Sequence, residues 1–309
     1  MIMEEKVYCG VDVSKHHLDV MFKGRPGRFD NTVKGVESMM ARIGRAHYVL
    51  ESTGGYERMA AWLLMDAGTE VSIVNPSRVR YYAMSMGQLA KTDPIDARII
   101  GEFAEVAKPD PSKKPSKSQR LLTSLVDRRQ QLKDMETAET NRLETAADPE
   151  FVKMVKKHLR WISREIETLE EKIAQTIGSD TSMKEKARRI RIIKGLGKVC
   201  TATLLAHIPE IGTLSRQEAA ALAGLAPYNR DSGTSSKRRH IHGGRKRIRA
   251  CLYMAAVCAI QHNPAMKQFY YRLINENHRP KKVALTAVMR KLVIAANSVI
   301  KNPDFGVVV

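Results

Sequence analysis

KVYCGVDVSKHHLDVMFKGRPGRFDNTV, Lys6–Val33, decides the fold of the first part of this chain. Three short β-patterned runs lie in it, Lys6–Val13, Leu18–Lys23 and Arg28–Val33, separated by the turn-like SKHH and GRPG. Short alternating runs broken by polar and glycine-rich pieces predict a three-stranded antiparallel meander. Downstream, a helical stretch around Val36–Ile43 leads to a strand at Tyr48–Glu51. STGGY breaks that strand, an amphipathic helix spans about Tyr56–Asp66, and Glu70–Val74 reads as a fifth strand. NPS then starts another helix, with Pro76 in its first turn, where a missing N–H costs nothing.

The predicted order, βββαβαβα, is that of a ribonuclease H-like domain, in which the first and fourth strands lie side by side. Asp12 sits inside the first strand, between Val11 and Val13, and Glu51 ends the fourth. A carboxylate buried among valines is costly unless it is paired or binds a cation. Asp93 and Asp96, in KTDPIDARII, are three residues apart at a helix start and therefore share a face. Four converging carboxylates form a hard-oxygen site for two magnesium (or manganese) ions, a pair that can bracket a phosphodiester. Singly, each acid has a plainer role: Asp93 as an N-cap, Asp96 as a partner of the helix dipole, Glu51 as a cap for the helix after STGG. Asp19 and Asp30, near strand ends, are expected to be solvated.

The totals point the same way. A chain of 309 residues, 43% hydrophobic, exceeds the size at which one core stays efficient, so two domains are expected. Lys and Arg total 52 against 33 Asp and Glu, a formal +19, and such a field draws polyanions. Cys9, Cys200, Cys251 and Cys258 show no short zinc-like spacing and no disulfide framework, which fits a reducing cytoplasmic compartment. Cys251 and Cys258, two turns apart in an apolar stretch, are expected in the core. No signal-peptide run opens the chain, and nothing is expected to approach the apolar length of a membrane span.

Residues 1–108 form the first predicted domain. KPDPSKKPSKSQ, from Lys108, reads as a linker; Gln119–Ile177 is nearly continuous helix former with dense alternating charge. Leu121, Leu122, Leu125, Leu132 and Met135, then Ile162, Ile166, Leu169 and Ile173, make a narrow apolar stripe. They predict two long helices broken near Ala147–Pro149, a helical hairpin or coiled coil filling 109–183. It reads equally as a solvated spacer or as an arm for dimerisation or RNA contact.

Residues 184–309 form a mainly helical third part. Between Lys184 and Arg249 there are sixteen Lys/Arg and four Asp/Glu, an excess of twelve in about a fifth of the chain. IIKGLGKVCTATLLAHI, Ile192–Ile208, has the helix–Gly-Leu-Gly–helix pattern of a helix-hairpin-helix. Lys194, Gly195, Gly197 and Lys198 would bring backbone amides and charge to a DNA phosphate, without reading sequence; an ordinary αα-turn is the plainer reading. GLAPYNRDSGTSSKRRHIHGGRKRIRACLYMAA, Gly224–Ala256, is a flexible loop followed by dense positive charge. Arg230, Lys237, Arg238, Arg239, Arg245, Lys246, Arg247 and Arg249 are candidate phosphate contacts. A serine hydroxyl among them has what a phosphoryl-transfer nucleophile needs, an attacking oxygen and cations to steady the phosphate. On chemistry alone the loop reads as a phosphate clamp before a nucleophile, and Ser232, Ser235 and Ser236 all qualify. His240 and His242 lack a third metal ligand and read as phosphate contacts or loop structure.

GVDVSK, LESTGGYE, NPSRVR, KTDPIDA, IKGLG, GLAPYNRDSG, GGR and LYMAA together resemble the DEDD insertion-sequence transposases, the serine-containing, bridge-RNA-guided recombinases, over essentially the whole length. The resemblance implies a RuvC-like domain whose acids are Asp12, Glu51, Asp93 and Asp96, and a transposase domain whose nucleophile corresponds to Ser232. It further implies DNA ends and target as partners, a non-coding guide RNA, sites completed between protomers of a dimer or tetramer, and a coiled coil for oligomerisation. Two other readings use the same residues: a Holliday-junction resolvase-like nuclease using water, with Ser232 dispensable, and a non-catalytic nucleic-acid binder, against which the four intact acids count.

Overall fold

The computed structural model describes residues 6–88, 93–228 and 240–302, without the side chains of Asp93 and Pro94. It contains two compact units, Met1–Pro115 and Ser116–Val309.

The first unit holds the strands β1 (Tyr8–Val13), β2 (His17–Phe22), β3 (Arg25–Asp30), β4 (His47–Glu51) and β5 (Glu70–Val74). They form one sheet in the order β3-β2-β1-β4-β5. The β1–β2 and β2–β3 pairs are antiparallel, β1–β4 and β4–β5 parallel. The meander starts β3 three residues earlier than expected. Lys23 and Gly24 both have positive φ (47° and 72°), so the two-residue turn is Lys-Gly. Arg25, Pro26 and Gly27 lie instead in the edge strand, the one place a sheet tolerates proline.

Helices cover both faces of the sheet. Cys9, Val11, Val13, Leu18, Val20, Tyr48 and Leu50 bury against α1 (Val33–Ile43) and α2 (Glu57–Asp66). Val49 and Val74 bury against α3 (Pro76–Ser85) and α4 (Asp93–Ala107), through Val79, Ala83, Ile99, Ile100 and Phe103. Asn75 caps α3, its side chain accepting from Ser77 N, ahead of Pro76. The proline-rich linker turns out to be docked on the outer edge of β5. Ser112 N donates to Val71 O (2.7 Å), Ile73 N donates to Ser112 Oγ (3.0 Å), and Ser72 Oγ donates to Asp110 O (2.7 Å). An edge strand so covered is no longer open to stray pairing.

The second unit begins with the expected helical hairpin, α5 (Lys117–Thr145) and α6 (Pro149–Ser179), capped at their starts by Ser116 and Asp148. Leu132, Ile162, Ile166 and Leu169 form its seam. Leu121 and Met135, expected in the stripe, are exposed, at 51% and 37%. Leu122, Val126 and Ile173 leave the seam for the main core, because the open end of the hairpin packs on the helices that follow.

Those helices are α7 (Thr181–Ile190), α8 (Lys198–His207), α9 (Arg216–Leu222), α10 (Lys246–His262), α11 (Pro264–Asn275) and α12 (Lys281–Lys301). The sequence reading missed α9, although Ser215 and Glu218 form a capping box at its start. It also missed a two-residue ribbon, β6 (Pro227–Tyr228) with β7 (His240–Ile241).

Two expectations are corrected here. Cys258 is exposed, whereas Cys200 is buried. The buried stripe of α10 runs through Ile248, Leu252, Ala255, Ala256 and Ala259, and Cys258 lies beside it. Helix α12 is long and apolar enough to cross a membrane by length and composition, contrary to the sequence reading. Its Val288, Leu292, Val293 and Ala296 are buried in the unit's core, as a central helix of a globular unit requires.

Candidate active site

In β1, side chains alternate between the sheet faces, so Tyr8, Gly10 and Asp12 share the face that α4 covers. Val11 pairs with Leu50 in the parallel β1–β4 ladder. The next position on each strand is Asp12 and Glu51, which therefore lie near the ends of neighbouring strands on one face, beside Val49.

Helix α4 reaches this face by direct backbone contact. A Cβ on Gly10 would lie 2.3 Å from Ala97 O and 2.4 Å from Gly101 N. Toward the other end of the helix, Phe103 packs in the same cluster as Tyr8. The helix thus runs antiparallel to β1, and its first turn, with Asp93 and Asp96, is carried toward the Asp12 end of the strand. Asp12, Glu51 and Asp96 are half-buried, and each has a polar partner. The side chain of Asp93 lies outside the described residues. Among the described residues no group of three His, Cys, Asp or Glu is gathered closely enough to hold a metal ion. The donors on this face are nonetheless all carboxylate oxygens, the ligand type that suits magnesium or manganese.

Asp19 was expected to be solvated, and the structure corrects this. It lies opposite Asp12 in the β1–β2 register and is only 7% exposed. Arg28, its partner across β2–β3, donates Nε to Oδ1 (2.7 Å) and Nη2 to Oδ2 (3.0 Å). A bidentate guanidinium neutralises the second acid on the strand beside Asp12. Asp30 keeps a 73%-exposed side chain, with His17 Nδ1 at 3.5 Å.

Three supporting residues were not singled out from the sequence. Gly10 is one; a glycine inside a strand is a readable sign of close backbone approach. Glu57 is the second. Its buried carboxylate accepts from Thr53 N (3.1 Å), Thr53 Oγ1 (3.2 Å) and Gly55 N (2.8 Å), closing the turn that follows Glu51. The cap considered for Glu51 is not made: α2, with Tyr56 as its N-cap, starts without a side-chain cap. Asn31 is the third: its Nδ2 donates to Ser14 O (2.9 Å) and Tyr56 O (3.3 Å), tying the loop after β1 to the loop after β4.

In the second unit, the Gly-Leu-Gly turn joins α7 to α8. Gly195 has φ +109°, and a Cβ there would lie 2.6 Å from the Ala259 Cβ, so this glycine seats the turn on α10. Gly197 is the N-cap of α8, in open space and without a side-chain cap. Lys194 and Lys198 are exposed beside it.

Ser232, with Ser235, Ser236, Arg230, Lys237, Arg238 and Arg239, lies outside the described residues. The two ends of that segment are fastened together. Beyond the β6–β7 ribbon, a Cβ on Gly244 would lie 2.1 Å from Gly224 N, and both glycines have positive φ (68° and 67°). Arg245 N donates to Leu222 O (2.8 Å). The GGRKRIR cations are mostly engaged inside the chain. Arg245 binds Glu210 through Nη1 (3.2 Å) and Nη2 (3.1 Å), Arg247 pairs with the buried Asp127, and Arg249 Nη1 donates to Gly243 O (2.8 Å). Asp127 also lies 3.0 Å from His207 Nε2. Lys246 is exposed. His240 and His242 are exposed too, His240 within β7.

Residues 9–151 match the DEDD transposase family, and residues 187–271 match the family described as Transposase IS116/IS110/IS902. The chain is 30% identical to the pilin gene-inverting protein of Moraxella bovis over 314 aligned positions, covering 96% of both chains. It has the same identity and coverage with the pilin gene-inverting protein of Moraxella lacunata. An insertion element IS900 uncharacterized 42 kDa protein of Mycobacterium paratuberculosis is 29% identical over 141 positions, 42% of this chain and 34% of that one. The protein is thus an enzyme that cuts and rejoins DNA. It belongs to the IS116/IS110/IS902 family of transposases and DNA-inverting recombinases.

Proposed function

We propose that the first unit is a ribonuclease H-like, RuvC-like carboxylate domain and that the second presents a serine nucleophile to DNA. The observation that carries the reading is the side-by-side ending of β1 and β4, with Asp12 and Glu51 on the face crossed by α4. Asp12, Glu51, Asp93 and Asp96 would hold magnesium or manganese. The bound ions would supply charge stabilisation at the attacking and leaving oxygens of a phosphodiester. In this reading Gly10 sets the height of α4 above the sheet, Glu57 fixes the turn beyond Glu51, and the Asp19–Arg28 pair keeps a second negative charge from the site.

Ser232 would attack a DNA phosphate through its hydroxyl oxygen, forming a phosphoserine ester and releasing a DNA hydroxyl. Attack by that or another DNA hydroxyl then restores the serine and joins the strands. Arg230, Lys237, Arg238 and Arg239 would steady the phosphate, and the clamp of Gly224 on Gly244 would hold the loop's base. The turn from Lys194 to Lys198 would grip backbone phosphate through the open N-terminus of α8. A non-coding guide RNA, and a dimer or tetramer in which sites are completed between protomers, belong to the same reading, as does a division of labour among 1–108, 109–183 and 184–309.

The test compares wild type, Asp12→Asn and Ser232→Ala on supercoiled DNA carrying element ends, with magnesium and candidate guide RNA. Loss of cleavage in both variants, and a DNA-linked peptide containing Ser232 in the wild type, are expected. Full cleavage by Ser232→Ala would instead make water the nucleophile, as in a resolvase.

A further inference from the structure

Of the formal +19, +12 falls in residues 184–249. Of the remaining +7, +4 falls in the sixteen residues 149–164, where Lys153, Lys156, Lys157, Arg160 and Arg164 face one acid, Glu150. Successive gaps of three, one, three and four residues keep these five on one side of the helix, a stripe along the first half of α6. At 1.5 Å per residue the stripe is about 16 Å long.

The stripe lies away from the buried residues Val155, Ile162 and Ile166, and all five side chains are exposed. None has a carboxylate partner among the described residues. Two acids of α5 that face α6 are already engaged: Glu136 with Lys133, and Glu139 with Arg142 and His158. Five uncompensated cations on one helix face repel one another, and an ordinary solvated helix offsets such charges with (i, i+4) acids. Here that offset is missing.

The stripe has apolar flanks. On one side Lys153, Lys156 and Arg160 share a shallow groove of about 610 Å³ with Pro149, Val152 and Leu159. On the other stand Met154, 65% exposed, and Trp161, 46% exposed and stacked on His158 at 5.8 Å. Cations bordered by an exposed aromatic ring suit a polyphosphate backbone with bases or sugars beside it.

We propose that this face of α6 is a second DNA-binding surface, separate from the basic segment 184–249, which grips the phosphate backbone of the DNA being rearranged. DNA is the occupant because the family acts on DNA and the stripe is charge-complementary to a backbone over several phosphates. Contact of this kind carries affinity without sequence reading. The proposal takes its occupant from the family and does not depend on the metal or serine chemistry, so its test omits magnesium.

Full-length protein would be titrated with a short DNA duplex over a range of salt concentrations, and the slope of log affinity against log salt compared. Each lost phosphate contact lowers the slope by about 0.9. The triple variant Lys153→Gln, Lys156→Gln, Arg160→Gln is expected to lower it by about 2.7. A control of equal charge loss, Lys34→Gln, Arg45→Gln and Lys117→Gln, is expected to leave it near the wild-type value. Circular dichroism checks that α6 remains folded, glutamine being a good helix former. Equal slopes for wild type and the triple variant would overturn the proposal. So would equal changes in variant and control, a loss of affinity for RNA with DNA binding intact, or a change of oligomeric mass by light scattering with DNA binding intact.

Discussion

Gly10 and Gly101 meet across one backbone contact, yet alanine at the two positions should have opposite results. At Gly10 the new Cβ would sit 2.3 Å from Ala97 O, 2.4 Å from Gly101 N and 2.9 Å from Gly101 Cα. All three are backbone atoms of α4, so no rotamer change relieves the clash, and the helix must retreat by about 1 Å to restore ordinary contact. Overpacking of this sort costs about 1–3 kcal/mol. A shift of about 1 Å in a catalytic group costs roughly 100-fold in rate. Asp96, proposed above as a metal ligand, rides on the displaced turn, so on that proposal Gly10→Ala should lower the melting temperature modestly and DNA cleavage by about 100-fold. At Gly101 the new Cβ would meet Gly10 N at 3.7 Å and Gly10 Cα at 3.9 Å, which is normal packing. Alanine in mid-helix is favoured over glycine by about 0.5–1 kcal/mol, so Gly101→Ala should melt slightly higher and keep its activity. Cleavage of supercoiled DNA and thermal melts by circular dichroism read both effects. A Gly10→Ala protein that melts lower but cuts at the wild-type rate would refute the coupling between α4 and the site.

Other expectations follow from particular contacts. Glu57→Ala removes three hydrogen bonds to the turn after Glu51; stability should fall by about 1–3 kcal/mol, with faster amide exchange at Thr53 and Gly55. Glu57→Gln, which keeps one acceptor oxygen, should lose less by both measures. Gly244→Ala would set a Cβ 2.1 Å from Gly224 N and open the base of the 229–239 segment, so strand transfer should drop more than affinity for duplex DNA, measured by gel shift. His47 is held below the usual histidine pKa of 6.5, first by burial. Its folded state therefore binds a proton less readily than the unfolded chain, and the contribution to stability, present above about 6.5, should be lost as pH falls through that region toward the lowered value. Chemical denaturation between about pH 7.5 and 5.5 should show a steeper decline for wild type than for His47→Gln; parallel curves would contradict this.

Much of this was legible in the residues. Short β-patterned runs bounded by turn residues marked the strands of the first unit, and Asn75–Pro76 and Asp148–Pro149 marked two helix starts. Such signals are local, because propensity, capping and alternation act within a few residues. The sequence also placed Asp12 inside the first strand and Glu51 at the end of the fourth, since a carboxylate in an apolar run stands out. It misjudged residues whose surroundings come from distant parts of the chain. Asp19 looks solvated until Arg28 on the next strand closes over it. Nor does the sequence show that Arg247 has an internal partner, Asp127, 120 residues away. KPDPSKKP looks like a tether until β5 offers it an open edge.

The sequence by itself determined the order of strands and helices in the first unit and the long helical hairpin of the second, because these depend on neighbours in the chain. Only the tertiary structure decided how closely α4 approaches β1 at Gly10, which charges are neutralised internally, and which cations on α6 stay exposed. Those outcomes depend on register and close approach between segments far apart in sequence, and local propensity carries no information about either.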